Sequence, residues 1–360
     1  MNSWKQLLRP IGRGLLAALL FLVAMYFFGQ WRDALLQART TQAPPPFRGM
    51  ALGTFHQDNN HDYEGDLREI KALGANAILV MVPWYQKDIR SNRMEPRYDG
   101  KNGNRTLEDT TLAKIISQAH GLDMKVLLMP YLRFDQRATK EWRGVLKPED
   151  FKLWANHYTE FILHYARLAE KQGVEILSVG SELGSLEDKT EFWREVIART
   201  RSQYPGKLVY SANWDHYEHP TFWGDLDYIG ITSYHRLTEV LPPSSKDLRK
   251  NLTKIKQQTL DFVKKFPGKK LLITEVGYPS LQGASKDPWN YFIDSPVDTA
   301  EQALCYSAFI ATWNDTPLLE GVFWWVWYGQ GGADDKSYTP RGKPAEQELA
   351  RWYGGNSEKI

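Results

Sequence analysis

From Phe47 onward, short apolar runs rich in β-branched and aromatic residues alternate with longer amphipathic stretches. Apolar runs of about four to eight residues are typical of buried strands, whereas apolar positions recurring every three or four residues are typical of helices. The pattern predicts eight strands, near Arg48–Phe55, Ala77–Pro83, Lys125–Pro130, Glu175–Glu182, Lys207–Ala212, Leu226–Thr232, Lys270–Glu275 and Gly321–Trp327. Between the strands it predicts helices such as Tyr63–Leu73, Leu107–Gly121, Pro148–Gln172, Lys189–Ser202, Ser245–Phe266 and Val297–Trp313.

This alternation of strands and helices implies an α/β fold with a parallel sheet and right-handed crossovers. Eight such units within residues 47–354 predict a single closed (β/α)8 TIM barrel. An open doubly wound sheet is the alternative. That fold would carry a glycine-rich phosphate turn after an early strand, and Gly49 and Gly53 lack the required spacing. We therefore expect one barrel domain over residues 47–354, followed by a disordered tail over residues 355–360.

The start of the chain has a different character. Basic residues at positions 5, 9 and 13 precede an apolar run from Leu15 to Phe28. This order predicts a transmembrane signal anchor within residues 1–36, which places the amino terminus in the cytoplasm and the barrel outside it, in the periplasm or the extracellular space. A cleaved signal peptide is the alternative, although Leu36 and Ala38 fit a cleavage site poorly. Residues 37–46 end in three prolines and predict a stiff, extended linker.

The composition limits the kinds of partner that the chain can have. Lys and Arg total 45 against 43 Asp and Glu, so there is no basic surface field to bind nucleic acid. The single cysteine, Cys305, cannot form an intramolecular disulfide, and its apolar neighbours favour a buried thiol. Aromatic residues make up 13% of the chain, which suits either the flat faces of sugars or an aromatic-rich core.

The carboxyl ends of the predicted strands carry polar and aromatic side chains, and in a closed barrel these ends converge on one opening. The spacing of cysteines and histidines typical of a metal site is missing here, so we expect neither a metal nor another cofactor. The predicted ring around the opening comprises Trp84, Tyr131, Arg133, Glu182, Trp214, Tyr234, His235, Glu275, Trp325 and Trp327.

Glu182 and Glu275 end the fourth and seventh predicted strands. A carboxylate at the end of an apolar strand is energetically costly unless it is paired or functional. Two carboxylates facing each other across one opening could act on a single glycosidic bond, and retaining glycosidases hold theirs about 5–5.5 Å apart. The alternative is that either glutamate is a buried ion-pair partner, for instance of Arg133.

The residues around both glutamates form recognisable motifs. The fourth strand reads Ser178-Val179-Gly180-Ser181-Glu182-Leu183, and the seventh reads Leu272-Ile273-Thr274-Glu275-Val276-Gly277-Tyr278-Pro279. Together with Tyr210–Trp214, Ile229–Tyr234 and Gly321–Trp327, these motifs resemble glycoside hydrolase family 113 of clan A. The resemblance covers most of residues 47–354 and implies a retaining, β-mannanase-like hydrolase that cleaves β-linked, mannose-containing polysaccharide. It also implies that Glu182 is the acid/base and Glu275 the nucleophile.

Other residues of the ring are expected to hold the sugar. Tyr234 is placed to donate a hydrogen bond to Glu275. Trp327 or Trp325 is expected to lie under the sugar at the cleavage point, and Trp327 is favoured because it lies nearer the strand end. Further sugar contacts are predicted for side chains that ordinary packing could equally explain, namely Trp84, Tyr131, Arg133, Trp214 and His235.

Two other functions are compatible with the same ring. A non-catalytic, glycan-binding barrel of an envelope polysaccharide assembly would keep the aromatic residues but would have no need of both glutamates. A transglycosylase would use the same pair and pass the sugar to another sugar instead of to water. A metal-dependent hydrolase ranks last because the predicted ring has no convergent set of ligands.

Overall fold

The computed structural model describes residues 45–55, 61–98, 105–136, 138 and 140–354. The predicted anchor over residues 1–36, nearly all of the linker over 37–46 and the tail over 355–360 lie outside these ranges. Among the helices of the described part, none combines the length and the apolar character that crossing a bilayer requires.

Eight parallel strands form a closed barrel, as the sequence predicted. In chain order they are β1 (Phe47–Leu52), β2 (Ala77–Gln86), β3 (Lys125–Phe134), β4 (Ile176–Ser181), β5 (Lys207–Asn213), β6 (Tyr228–Thr232), β7 (Lys270–Val276) and β8 (Leu319–Trp327). Each strand pairs with the next along the chain, and β8 pairs with β1 to close the ring. A two-residue strand, Met94–Glu95, pairs antiparallel with the end of β2.

Seven α-helices lie within the described ranges: α1 (Tyr63–Ala72), α2 (Asp109–Gly121), α3 (Phe151–Gln172), α4 (Thr190–Arg201), α5 (Ser245–Val263), α6 (Thr299–Trp313) and α7 (Pro344–Tyr353). The side chains of Asp62, Asp150, Ser244 and Asp298 cap four of them by accepting a hydrogen bond from the backbone N–H three residues later. Strands β5 and β6 are joined by a 3-10 turn, Trp223–Asp225, instead of an α-helix.

Alternating residues of the strands feed two apolar cores. In β2, Ile78 and Val80 pack outward under the helices, whereas Leu79 and Met81 point into the barrel. Since both faces of the sheet are covered, both sets are apolar, as is usual for a parallel sheet. The inside of the barrel is therefore filled with side chains and supports the residues at the opening from below.

The two ends of the barrel domain meet at the amino-terminal ends of the strands. Phe47, the first residue of β1, is paired with Gly321 near the start of β8. At the end of α7, the Tyr353 hydroxyl donates a hydrogen bond to the carbonyl oxygen of Gly49, at 3.2 Å. The carboxyl ends of the strands form the opposite side of the barrel.

Candidate active site

The structure places Glu182 and Glu275 at the carboxyl ends of β4 and β7. Glu182 directly follows β4, and Glu275 is the last residue but one of β7. Both are buried, with relative exposures of 7% and 4%. The negative charge of Glu182 acts on Glu275, so the two carboxyl groups lie within electrostatic reach of each other inside the same opening.

Glu182 is held by hydrogen bonds to both of its carboxylate oxygens. Arg143 donates from Nη2 to Oε2, and the Thr232 hydroxyl donates to Oε1 at 2.6 Å. The backbone N–H of Glu182 donates to the carbonyl oxygen of Ser211 at 2.8 Å. These contacts fix the orientation of the carboxyl group.

A second set of buried groups supports the backbone next to Glu182. The N–H of Leu183 donates to the Tyr210 hydroxyl at 2.9 Å, and that hydroxyl donates to Glu187 Oε1 at 2.8 Å. Burial raises the pKa of Glu187 to about 7. This chain of hydrogen bonds lies behind the site and links the turn that carries Glu182 to the wall of the barrel.

Glu275 has one oxygen engaged and one without a partner. The Tyr234 hydroxyl donates to Glu275 Oε2 at 3.0 Å, which is the contact expected from the sequence. Oε1 is buried and has no hydrogen-bond partner within the described residues. Burial and the negative charge of Glu182 raise the pKa of Glu275, and the positive charge of Arg143 opposes them.

Arg143 holds Glu182 together with Thr232, and the sequence singled out neither residue. Arg143 begins a single 3-10 turn, Arg143–Val145, in the segment between β3 and α3. Its charge interacts with Glu182 and Glu275, and its guanidinium lies 5.5 Å from the ring centre of Tyr131. The ion-pair partner considered from the sequence, Arg133, instead lies over the ring of Tyr85 at 5.8 Å.

Several predicted aromatic residues do meet at the opening. Tyr131, Tyr234, Trp214 and Trp325 all belong to the inner group of side chains or pack against it. The indole of Trp214 lies 5.3 Å from the ring of His235. Burial lowers the pKa of His235 to about 4, so this histidine is neutral at physiological pH.

Two predicted residues do not reach the opening. Trp84 points outward, where its Nε1 donates to the Tyr165 hydroxyl of α3 at 2.9 Å. Trp327 also packs in the outer core, and its Nε1 donates to Glu69 Oε2 of α1 at 3.1 Å. Regular alternation along β8 would put Trp325 and Trp327 on the same face.

That alternation is interrupted between Trp325 and Val326. Both of these side chains are on the inner side, so Trp327 falls on the outer side. Trp325, which packs against Phe55 with ring centres 5.8 Å apart, is therefore the tryptophan of β8 that the structure brings to the opening.

A closed (β/α)8 barrel with two buried glutamates at the ends of β4 and β7 defines a glycoside hydrolase of the TIM-barrel class. The chain belongs to glycoside hydrolase family 113, whose sequence profile matches residues 50–343. Among curated protein sequences, no significant match was found.

Solved structures of the family resemble this fold closely. The β-mannanase AaManA from Alicyclobacillus acidocaldarius, in complex with ManMIm, is 27% identical and superimposes with a TM-score of 0.74 over 86% of this chain and 97% of its own. A further structure described as a GH113 β-1,4-mannanase in complex is 22% identical, with a TM-score of 0.76 over 86% of this chain and 99% of its own. A GH5_18 protein from Bifidobacterium longum shares the fold at 14% identity, with a TM-score of 0.59 over 87% of this chain and 79% of its own.

Proposed function

We propose that the protein is a retaining β-mannanase, in which Glu275 is the nucleophile and Glu182 is the acid/base. The observation that carries the proposal is the pair itself. One buried carboxyl group is oriented by Tyr234 and keeps a free oxygen, and the other is held by Arg143 and Thr232. The family membership and the similarity to the β-mannanase AaManA support mannose-containing substrates.

In the first step, Glu275 Oε1 attacks the anomeric carbon while Glu182 gives its proton to the leaving oxygen. A glycosyl ester forms on Glu275, and the glycosidic bond breaks. In the second step, Glu182 takes a proton from water, which attacks the same carbon and releases Glu275. Trp325 and Tyr131 line the position of the sugar whose anomeric carbon is attacked.

Before substrate binds, the charges around Glu182 and Glu275 favour a distribution of the proton that the first step has to reverse. Burial and the negative charge of Glu182 favour the proton on Glu275. The first step needs the opposite distribution. In the proposed mechanism the bound sugar displaces the guanidinium of Arg143 from Glu182, and the shared proton then moves from Glu275 to Glu182.

Glu275→Ala should lower hydrolysis of β-mannan by on the order of 10⁴-fold or more, because the covalent intermediate cannot form. Glu182→Ala should be slow as well. On dinitrophenyl β-mannoside, whose leaving group needs no acid, azide should restore part of its activity because this small anion attacks the intermediate without a general base. Activity is measured on β-mannan, glucomannan, xylan and β-glucan, with sizing of the products.

Glu191→Ala serves as the control, since this glutamate side chain on α4 is 89% exposed, and it should keep wild-type activity. Wild-type rates in both active-site variants would refute the assignment of the two glutamates. Products longer than the substrate, in place of shorter ones, would identify a transglycosylase.

We further propose that residues 1–36 anchor the protein in a membrane and that the barrel works outside the cytoplasm. The basic residues before the apolar run support this proposal.

A further inference from the structure

The segment between β7 and α6 carries three exposed aromatic side chains. Trp289, Tyr291 and Phe292, called here the aromatic rim, have relative exposures of 40%, 54% and 69%. An aromatic ring that stays exposed to water does not contribute the favourable free energy that burying its apolar surface would give. A single exposed ring is common on protein surfaces, whereas three within four residues mark a binding surface. The segment leaves the carboxyl end of β7, on the same side of the barrel as Glu275.

The aromatic rim is fixed to the rest of the barrel. The indole of Trp289 stacks on Trp214, with ring centres 5.5 Å apart and an angle of 25° between the planes. The Tyr338 hydroxyl donates to the carbonyl oxygen of Pro288 at 2.6 Å. Arg236 donates to the carbonyl oxygen of Lys286 at 3.0 Å and forms an ion pair with Asp287. A surface held in this way loses little conformational entropy when it binds a ligand.

Contacts between neighbouring rings connect the rim to the proposed nucleophile. The ring of Tyr291 lies 5.9 Å from that of Tyr338, which in turn lies 6.2 Å from that of Tyr234. Tyr234 donates to Glu275. The rim is thus continuous with the site in which the glycosidic bond is expected to lie.

The chemistry of this surface suits a sugar chain better than a lipid or a protein. Aromatic rings match the C–H faces of pyranoses, and the charged groups beside them can bind hydroxyl groups. Arg236, whose guanidinium lies 5.7 Å from the ring centre of Trp289, and its partner Asp287 supply such groups beside the rim. A membrane-binding surface would instead need an uninterrupted apolar face with unpaired basic residues.

We propose that Trp289, Tyr291 and Phe292 form an additional subsite, which binds a β-linked glycan beyond the sugars that flank the cleaved bond. This inference rests on the proposed β-mannanase function and extends it, because such a subsite directs the enzyme toward long chains. Trp289 serves mainly to hold the segment, whereas Tyr291 and Phe292 present the more exposed rings.

The test compares long and short substrates in a Tyr291→Ala/Phe292→Ala double variant. We expect kcat/KM for mannohexaose and β-mannan to fall by about tenfold, the loss of roughly one well-packed ring contact. The rate on dinitrophenyl β-mannoside should stay within about twofold of wild type, because a single sugar does not reach the rim. Tyr98→Ala, at a tyrosine that is 48% exposed near the start of α2, is the matched control and should leave both rates unchanged.

The outcomes separate the subsite from the proposed function. If the wild-type protein cleaves neither the aryl mannoside nor any β-mannan, the mannanase assignment itself fails. If it cleaves both and the double variant loses nothing on mannohexaose, or loses equally on both substrates, the subsite is refuted and the mannanase assignment stands. Loss of binding to phosphatidylglycerol vesicles with unchanged cleavage of mannohexaose would assign the rim to a lipid and overturn the inference.

Discussion

Glu182 adopts a backbone conformation that few residues other than glycine adopt. Its φ of 54° lies in the left-handed region, which costs on the order of 1 kcal/mol for a residue with a Cβ atom. The hydrogen bonds to Ser211 and Tyr210 on either side of its peptide offset this cost. A β-branched residue at position 182 would disturb the turn as well as remove the carboxyl group. Ala and Gln variants are therefore cleaner probes of the chemistry.

The coupling of the two carboxyl groups can be tested by removing one charge. Glu182→Gln takes away the negative charge that raises the pKa of Glu275 and leaves the positive charge of Arg143 in place. The acidic limb of the pH profile of kcat/KM, which reports ionisation of the free enzyme, should therefore move to lower pH. Dinitrophenyl β-mannoside is the substrate, since its leaving group needs no acid. An exposed-site variant, Glu191→Gln, should keep the wild-type profile, and an unshifted limb in Glu182→Gln would contradict the coupling.

At the scale of strands, the sequence predicts where each strand lies but not which of its faces is inside. Both faces of β2 are apolar, so the outward direction of Trp84 could not be read from the pattern. In β7, Ile273 and Val276 both face the outer core although they are three residues apart. The pairing of β6 with β7 shifts by one residue at this point, and the extra residue turns Glu275 inward.

A single glycine sets the spacing between β5 and β6. A Cβ atom on Gly230 would lie 2.3 Å from the carbonyl oxygen of Tyr210, so the strands would have to move apart. Gly230→Ala should lower the free energy of unfolding by about 1–3 kcal/mol or more. It should also lower activity, because Thr232, two residues along β6, holds Glu182. Urea denaturation measures the first effect.

Gly121→Ala is the matched control for this substitution. It lies in the last turn of α2, and its Cβ would meet nothing within 4 Å. Alanine there should be neutral or stabilise the protein by up to about 1 kcal/mol, since alanine has the higher helix propensity. Equal urea midpoints for the two variants would contradict the proposed role of Gly230.

For the molecule as a whole, the repeated strand and helix pattern was sufficient to predict the barrel. The pattern recurs through the domain, and each unit reinforces the interpretation of the next. The segments that complete the site have no such period. Arg143 lies in an irregular stretch after β3, Tyr291 in one after β7 and Tyr338 in one after β8. Their meeting depends on the closed ring, which brings together residues far apart in sequence.

The predicted anchor over residues 1–36 can be tested by cell fractionation. The chain that includes residues 1–36 should sediment with membranes and be released by detergent but not by salt, whereas a chain starting at residue 45 should stay in solution with an unchanged kcat on β-mannan. Leu20→Arg together with Val23→Arg should also release the full chain, since each charge costs about 2.5–3.5 kcal/mol at the centre of a bilayer. Full-length protein that stays in the supernatant, with its amino terminus intact, would refute the anchor.

The arrangement of the domain's two ends has a practical consequence. Phe47 and Tyr353 both lie at the floor of the barrel, beside the first residues of β1 and β8, while the glutamates open on the far side. A bead, a fused protein or a cell surface joined at either end would therefore leave the cleft clear. A polysaccharide much larger than the enzyme could then enter the cleft from the open side without contacting the surface to which the enzyme is joined.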